Sequence, residues 1–283
     1  MPKNFSDIEY PAKPPATATD ESLTILDLFK LTGKVASITG SSSGIGLGIA
    51  EAFAQAGADV AIWYSSHDAT EIAEKLSKKY GVRAKAYKCA IDNEEQVKNT
   101  IHQQIKDFGH LDIVVSNAGI CWTKGQFIDQ PDNQHFHDVM NVDFNGSVYV
   151  SKYAGQHFRE RWQKTGKKGS LIFTSSMSGH IVNVPQLQAT YNAAKAAVRH
   201  FAKSLAVEWA PWARVNSVSP GYINTPIAEF CPEELQNQWW ALTPLGRPGE
   251  VKELVGIYLY LASDASSYTT GTDIIVDGGT TLP

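Results

Sequence analysis

Val35-Ala-Ser-Ile-Thr-Gly-Ser-Ser-Ser-Gly-Ile-Gly46 decides the fold. A short, largely apolar run, Val35–Thr39, reads as a strand and passes without a break into a glycine cluster. A helical stretch, Gly46–Gln55, follows at once. A glycine cluster alone is a weak signal, but between a strand and a helix it reads as a dinucleotide phosphate loop. Gly40 permits the tight turn, Gly44 lets the backbone approach a pyrophosphate, and Gly46 lets helix and strand pack closely. The helix N-terminus adds N–H donors and a positive dipole. A Gly-Ser loop with no ligand is the competing reading, and the context weighs against it. The expected cofactor contacts of this loop are Gly40, Ser42, Ser43, Gly44, Ile45 and Gly46.

Outward from the loop, short apolar runs alternate with helical segments. The further strand candidates are Val60–Tyr64, Ala84–Ala90, Ile113–Ser116, Leu171–Ser175, Val215–Ser219 and Ile274–Val276. Between them, Ala69–Lys79 and Glu94–Phe108 carry the 3.6-residue period of amphipathic helices. This alternation predicts an α/β fold, a doubly wound (Rossmann) parallel sheet of about seven strands with helices on both faces. The domain is expected over residues 33–283, behind a proline-rich arm over 1–32 that contains Pro11-Ala-Lys-Pro-Pro-Ala-Thr-Ala-Thr. With 283 residues and 43% hydrophobic content, the chain can bury one large core.

Charge and cysteine usage narrow the partners. A net charge of −4 provides no basic surplus for nucleic acid. No apolar run reaches the roughly 18 residues that suggest a membrane span. The arm lacks the apolar core of a secretory signal, and its acids Asp7, Glu9, Asp20 and Glu21 argue against a transit peptide. Cys89, Cys121 and Cys231 show no metal-ligand spacing and read as reduced packing thiols of a cytoplasmic protein. No metal site is expected.

The end of the second strand bears on cofactor choice. An NAD-specific enzyme usually places a carboxylate there to hold the ribose 2′-OH. Here Asp59-Val-Ala-Ile-Trp-Tyr64 ends in Tyr64, followed by Ser65-Ser66-His67. Hydroxyls and an imidazole can donate to a 2′-phosphate, so NADP(H) is expected, held by Tyr64, Ser66 and His67. The arginine often found before the second glycine is replaced by Ser43, so the preference rests on neutral donors.

Thr190-Tyr-Asn-Ala-Ala-Lys195 carries the chemistry. Residues i and i+4 share one helix face, and a phenol under an ammonium has its ionised form stabilised. The Tyr191 pKa is therefore expected to fall from about 10, a drop of roughly three units requiring about 4 kcal/mol. Ala194, Val198, Phe201, Leu205 and Trp209 continue the helix to a stop before Pro211. Taken alone the pair is a weak signal, since most such pairs are solvated helix faces.

With these pieces assembled, the chain resembles the short-chain dehydrogenase/reductase family over residues 33–280. Thr39–Gly46, Asn117-Ala-Gly119, Ser176, Tyr191-x-x-x-Lys195, Ser219-Pro-Gly221 with Thr225, and Asp277-Gly-Gly279 come in the family's order. More narrowly, Ala61-Ile-Trp-Tyr64, Ser176-Met-Ser-Gly-His-Ile-Val-Asn183 and Gln238-Trp-Trp240 look like the yeast NADPH-dependent carbonyl reductases, L-sorbose reductases and mannitol dehydrogenases. The resemblance implies that Tyr191 donates a proton to the substrate oxygen, Lys195 lowers its pKa and binds the nicotinamide ribose, and Ser176 holds the carbonyl oxygen. Ser176 is chosen over Ser175 and Ser178 because the family's serine stands three residues before a glycine, here Gly179. Further cofactor contacts implied are Asn117, Ala118, Gly119, Pro220, Gly221, Ile223 and Thr225, with Ile91 serving through its backbone because Ala90 replaces an adenine-binding Asp or Asn. Asp143, in Asp143-Phe-Asn-Gly146, stands where the family's fourth catalytic residue is an Asn. It either supports Lys195 or is a buried helix residue bonded to backbone. A homotetramer is a further implication of the resemblance.

The segment over about 222–247 is expected to cover the substrate, since ligands of such sheets bind beyond the strands' carboxyl ends. Its Phe230, Trp239, Trp240 and Pro244 either wall a pocket or bury a subunit contact. Asn183 can meet a polar substrate group, and His180 reads as a loop histidine with a local hydrogen bond. The expected function is reduction of ketones or keto esters by NADPH to secondary alcohols. A ketose/polyol oxidoreductase is the alternative within the enzyme class, and a dinucleotide-binding sensor the alternative outside it. A serine hydrolase ranks last, because no Gly-x-Ser-x-Gly elbow occurs.

Overall fold

Runs of four to eight β-branched and apolar residues bury both faces best in a parallel sheet, and the chain uses them that way. The computed structural model describes residues 22–226 and 232–282. The strands are β1 (Val35–Ile38), β2 (Asp59–Tyr64), β3 (Ala84–Lys88), β4 (Ile113–Ser116), β5 (Gly169–Thr174), β6 (Ala213–Pro220) and β7 (Asp273–Val276). They form one 7-stranded sheet in the order β3-β2-β1-β4-β5-β6-β7, every neighbouring pair parallel. Chain order reverses between β1 and β4, which opens a crevice at their carboxyl ends.

The helices are α1 (Gly44–Gln55), α2 (Thr70–Tyr80), α3 (Glu94–Phe108), α4 (Gln134–Val139), α5 (Gly146–Thr165), α6 (Ala189–Glu208), α7 (Glu233–Leu242) and α8 (Val251–Ala262). α1, α2 and α8 bury Ile49, Phe53, Leu76, Leu254 and Tyr258 on one sheet face. α3, α5 and α6 bury Val97, Ile101, Val150, Phe158, Val198 and Leu205 on the other. The strand expected over 84–90 stops at Lys88, because Ala90 N–H turns to the Gln96 side chain at 2.9 Å. Between α4 and α5, residues Met140–Asn145 wind as a π-helical turn, a distortion often found at functional sites.

Of the expected arm, residues 1–21 lie outside the described part. Leu31 is fully buried, with its N–H donating to Ala56 O at 2.8 Å, and Phe29 meets the Tyr260 ring at 6.4 Å between centroids. Phe230 and Cys231 also lie outside the described residues. Among those described, no helix is long and apolar enough to cross a membrane, and no cluster of His, Cys, Asp or Glu is placed to hold a metal.

Candidate active site

The carboxyl ends of the strands open into a cavity of about 520 Å³. Its wall includes every residue expected at the cofactor end, namely residues 40, 42–46, 64, 66, 67, 91, 117–119, 220, 221, 223 and 225. Ser176, Tyr191 and Lys195 line the same cavity. Asp143 does not; it is buried behind Lys195.

At the nucleotide end, Gly40 turns the chain with φ +60°, and a Cβ on Gly46 would lie 2.2 Å from the Gly40 carbonyl. Only glycine allows that approach. Ser43 begins α1 without a side-chain cap, so N–H groups of the first turn stay available to a pyrophosphate. Ser66 Oγ and His67 Nδ1 lie 3.0 Å apart on the exposed loop after β2. When Ser66 donates to Nδ1, the Nε2 carries the proton and can donate to a phosphate. The loop's acid, Asp68, is engaged at the head of α2, accepting from Thr70 N at 2.8 Å and Thr70 Oγ1 at 2.6 Å. These residues fit an NADP(H) cofactor.

At the chemical end, α6 begins at Ala189, so Tyr191 and Lys195 sit in its first two turns. Lys195 Nζ lies 5.4 Å from the Tyr191 ring centroid, 3.3 Å from Thr174 O at the end of β5, and 3.2 Å from Asp143 Oδ2. Asp143 Oδ1 accepts the Ile120 N–H at 2.8 Å. Asp143 thus bonds backbone and also faces Lys195. The π-helical turn presents its carboxylate inward. Burial pushes the Asp143 carboxyl up against the opposing pull of Lys195. Burial works to lower the Lys195 ammonium, but Asp143 and Tyr191 together hold it above its ordinary value.

Tyr191 corrects an expectation. Its pKa is pushed up to about 12, not down, because burial of the phenol outweighs the attraction of Lys195. The nearby Asp143 carboxylate adds to the rise. The Ser176 hydroxyl opposes the rise as a donor to the ionised phenol, but by less than burial promotes it. Ser176 Oγ also accepts Ser178 N–H at 3.1 Å, whereas Ser175 Oγ donates to Lys195 O at 2.9 Å. That division separates Ser176, in the cavity with the phenol, from Ser175, which ties β5 to α6.

A family model described as enoyl-(acyl carrier protein) reductase matches residues 40–281. The chain belongs to the short-chain dehydrogenase/reductase family. It is 58% identical to a probable NADP-dependent mannitol dehydrogenase of Yarrowia lipolytica, covering 95% of each chain. It is also 58% identical to a sorbose reductase of Candida albicans, over 95% of this chain and 94% of that one. Among solved structures, the NADPH-dependent 3-quinuclidinone reductase from Rhodotorula rubra superposes with a TM-score of 0.88 at 41% identity, over 96% of this chain and 100% of that one.

Several contacts that hold the site of this short-chain dehydrogenase/reductase together carried no readable signal in sequence. Thr39 Oγ1 accepts Asn117 N at 2.9 Å and Ala118 N at 3.0 Å, while Asn117 Nδ2 donates to Thr39 O at 3.1 Å. Asn117 thus locks β4 to the glycine loop. Gln188 pairs with the Trp122 backbone at 3.2 Å and 2.8 Å, closing the floor beside Tyr191. His180 does not bond locally: its Nε2 lies 2.6 Å from Asp273 Oδ2 on β7, tying the serine loop to the far strand. Nothing in a sequence marks partners 93 residues apart. Trp239 and Trp240 line the cavity, and the Tyr222 ring stacks on Trp239 at 4.5 Å with planes 7° apart. Of the expected rings, Trp239 and Trp240 wall the pocket, whereas Pro244 does not line it.

Proposed function

We propose that this chain is an NADPH-dependent carbonyl reductase that converts ketones to secondary alcohols, with Ser176, Tyr191, Lys195 and Asp143 as its working residues. The observation that carries the reading is the Tyr191 phenol sharing one cavity with Ser176 and backed by the buried Lys195–Asp143 pair. NADPH, when bound, supplies the hydride. As charge builds on the carbonyl oxygen, the Tyr191 O–H donates to it and Ser176 offers a second, fixed donor. Lys195 stabilises the phenolate left behind, and Asp143 keeps Lys195 charged. A phenol held protonated suits reduction, where it must begin as the acid.

A second reading, ketose/polyol oxidoreductase, is supported by the 58% identity to a mannitol dehydrogenase and a sorbose reductase. A cytoplasmic, homotetrameric enzyme is part of the proposal, the location supported by the reduced-thiol reading of the cysteines and the assembly by the family resemblance alone. NADPH oxidation rates against aryl ketones, β-keto esters, fructose and L-sorbose test the function. Turnover of ketones is expected; no turnover of any carbonyl would leave the sensor reading.

Cofactor choice is tested separately. The double change Ser66→Asp with His67→Asp places two carboxylates where the 2′-phosphate is expected, and its NADPH-to-NADH ratio of kcat/KM should fall at least tenfold. An unchanged ratio would remove both residues from cofactor discrimination.

A further inference from the structure

We propose that His180 and Asp273 are positioning residues that fix the turn carrying Ser176 and act on catalysis through its hydroxyl. The inference rests on the carbonyl-reductase reading, in which Ser176 is the fixed donor to the substrate oxygen. Ser176 lines the cavity, whereas His180 and Asp273 do not. Any effect of the pair on the reaction therefore has to pass through a residue that does.

A single short turn joins His180 to Ser176. Met177–Gly179 winds as one 3-10 turn, with Ser176 at its N-cap and His180 at its C-cap. Ser176 Oγ accepts Ser178 N–H at 3.1 Å, and Ser176 O accepts Gly179 N–H at 3.0 Å. Met177 O accepts His180 N–H at 2.8 Å. With its backbone bonded at each step, the turn transmits a displacement of one end to the other. Its inner side rests on α6, where a Cβ on Gly179 would lie 3.0 Å from backbone atoms of Lys195 and Ala196. Arg199 Nη2, also on α6, donates to Gly179 O at 3.1 Å.

The outer end is held from another part of the sheet. His180 Nε2 lies 2.6 Å from Asp273 Oδ2, and because a carboxylate only accepts, that nitrogen is the donor. The Asp273 side chain is 4% exposed. It also accepts from Ser217 Oγ and, at 2.9 and 3.0 Å, from Ser219 Oγ, both on β6. Several donors on one buried carboxylate fix its orientation, and bonds to a carboxylate are the short, strong ones. The turn at the end of β5 is thus clamped between α6 on one side and the β6–β7 pair on the other.

A fixed donor works only where charge develops on the carbonyl oxygen, and a misplacement of about 1 Å can cost about 10²-fold. Without the β7 anchor, the turn pivots on its α6 contacts and Ser176 Oγ shifts. Tyr191 and Lys195 do not depend on that anchor, since Lys195 keeps Thr174 O and Asp143. The loss falls on the serine's share of catalysis.

The test is a double-mutant cycle in the full-length enzyme, read as kcat for NADPH oxidation with ethyl acetoacetate, acetophenone and L-sorbose. His180→Phe keeps a ring and deletes the donor, and should lower kcat about 10–100-fold with the KM for NADPH unchanged. His180→Gln, whose amide N–H can take the place of Nε2, should keep most of the wild-type kcat. In a Ser176→Ala background, His180→Phe should cost little more, because the hydroxyl it positions is gone. His180→Asn, too short to reach Asp273, replaces the phenylalanine variant if a thermal melt shows that it does not fold. Three results would overturn the positioning role alone: unchanged kcat in the folded variant, no recovery in His180→Gln, or the full loss repeated without Ser176. A wild type that reduces none of the three carbonyls would overturn the carbonyl-reductase reading and the proposal with it.

Discussion

Tyr191→Phe lowers NADPH oxidation by about 10²–10⁴-fold, the range a positioned general acid contributes. The change is confined to one oxygen. The ring keeps its packing against Trp122, Val139 and Ala194, so folding and NADPH binding stay near wild type. Fluorescence titration with NADPH and a thermal melt check both. Full activity in this variant would sink the mechanism. The same pair of proteins tests the pKa directly. In the nucleotide-free enzyme, the tyrosinate absorbance that wild type has and Tyr191→Phe lacks should appear only as pH approaches about 12, above the ordinary phenol value. The sign follows from burial: the neutral phenol is the favoured form in the fold, so the unfolded chain ionises first. Stability contributed by this group is intact below pH 10 and declines as pH rises from there towards 12. A wild-type-specific tyrosinate signal near pH 7 would mean that Lys195 overrides burial.

Asp143→Ala breaks a buried ion pair from one side and is the second large effect. Removing one partner of such a pair typically costs about 3–5 kcal/mol, because the other charge stays buried without compensation. At about 2–4 °C per kcal/mol for a chain of this size, the melting temperature should fall on the order of 10 °C. Lys195 loses the partner that holds it charged, so kcat should fall with little change in the KM for NADPH, since Asp143 does not line the cavity. Asp143→Asn separates charge from shape. It retains an acceptor for the Ile120 N–H, so it should recover part of the stability while kcat stays low. Wild-type turnover in the alanine variant would reduce Asp143 to a structural residue.

Much of this site was legible because its parts are local. The glycine loop works through backbone φ and helix N–H groups, both set by neighbours in sequence, and the Tyr191–Lys195 spacing is a helix repeat. The strands were readable for the same reason, though their ends shifted slightly, as at β3, where Gln96 captures the Ala90 N–H. The direction of the Tyr191 pKa shift was not legible. The i, i+4 rule sees Lys195, but not the burial or the Asp143 carboxylate that arrives from the π-helical turn.

By itself, then, the sequence determined the doubly wound sheet, the nucleotide loop and the identity of the phenol and ammonium, because apolar period, glycine placement and helix pitch act over a few residues. Tertiary structure alone decided how those groups behave. Desolvation depends on everything packed around an atom, and pairs such as Lys195–Asp143 and His180–Asp273 form only when segments distant in sequence fold against one another.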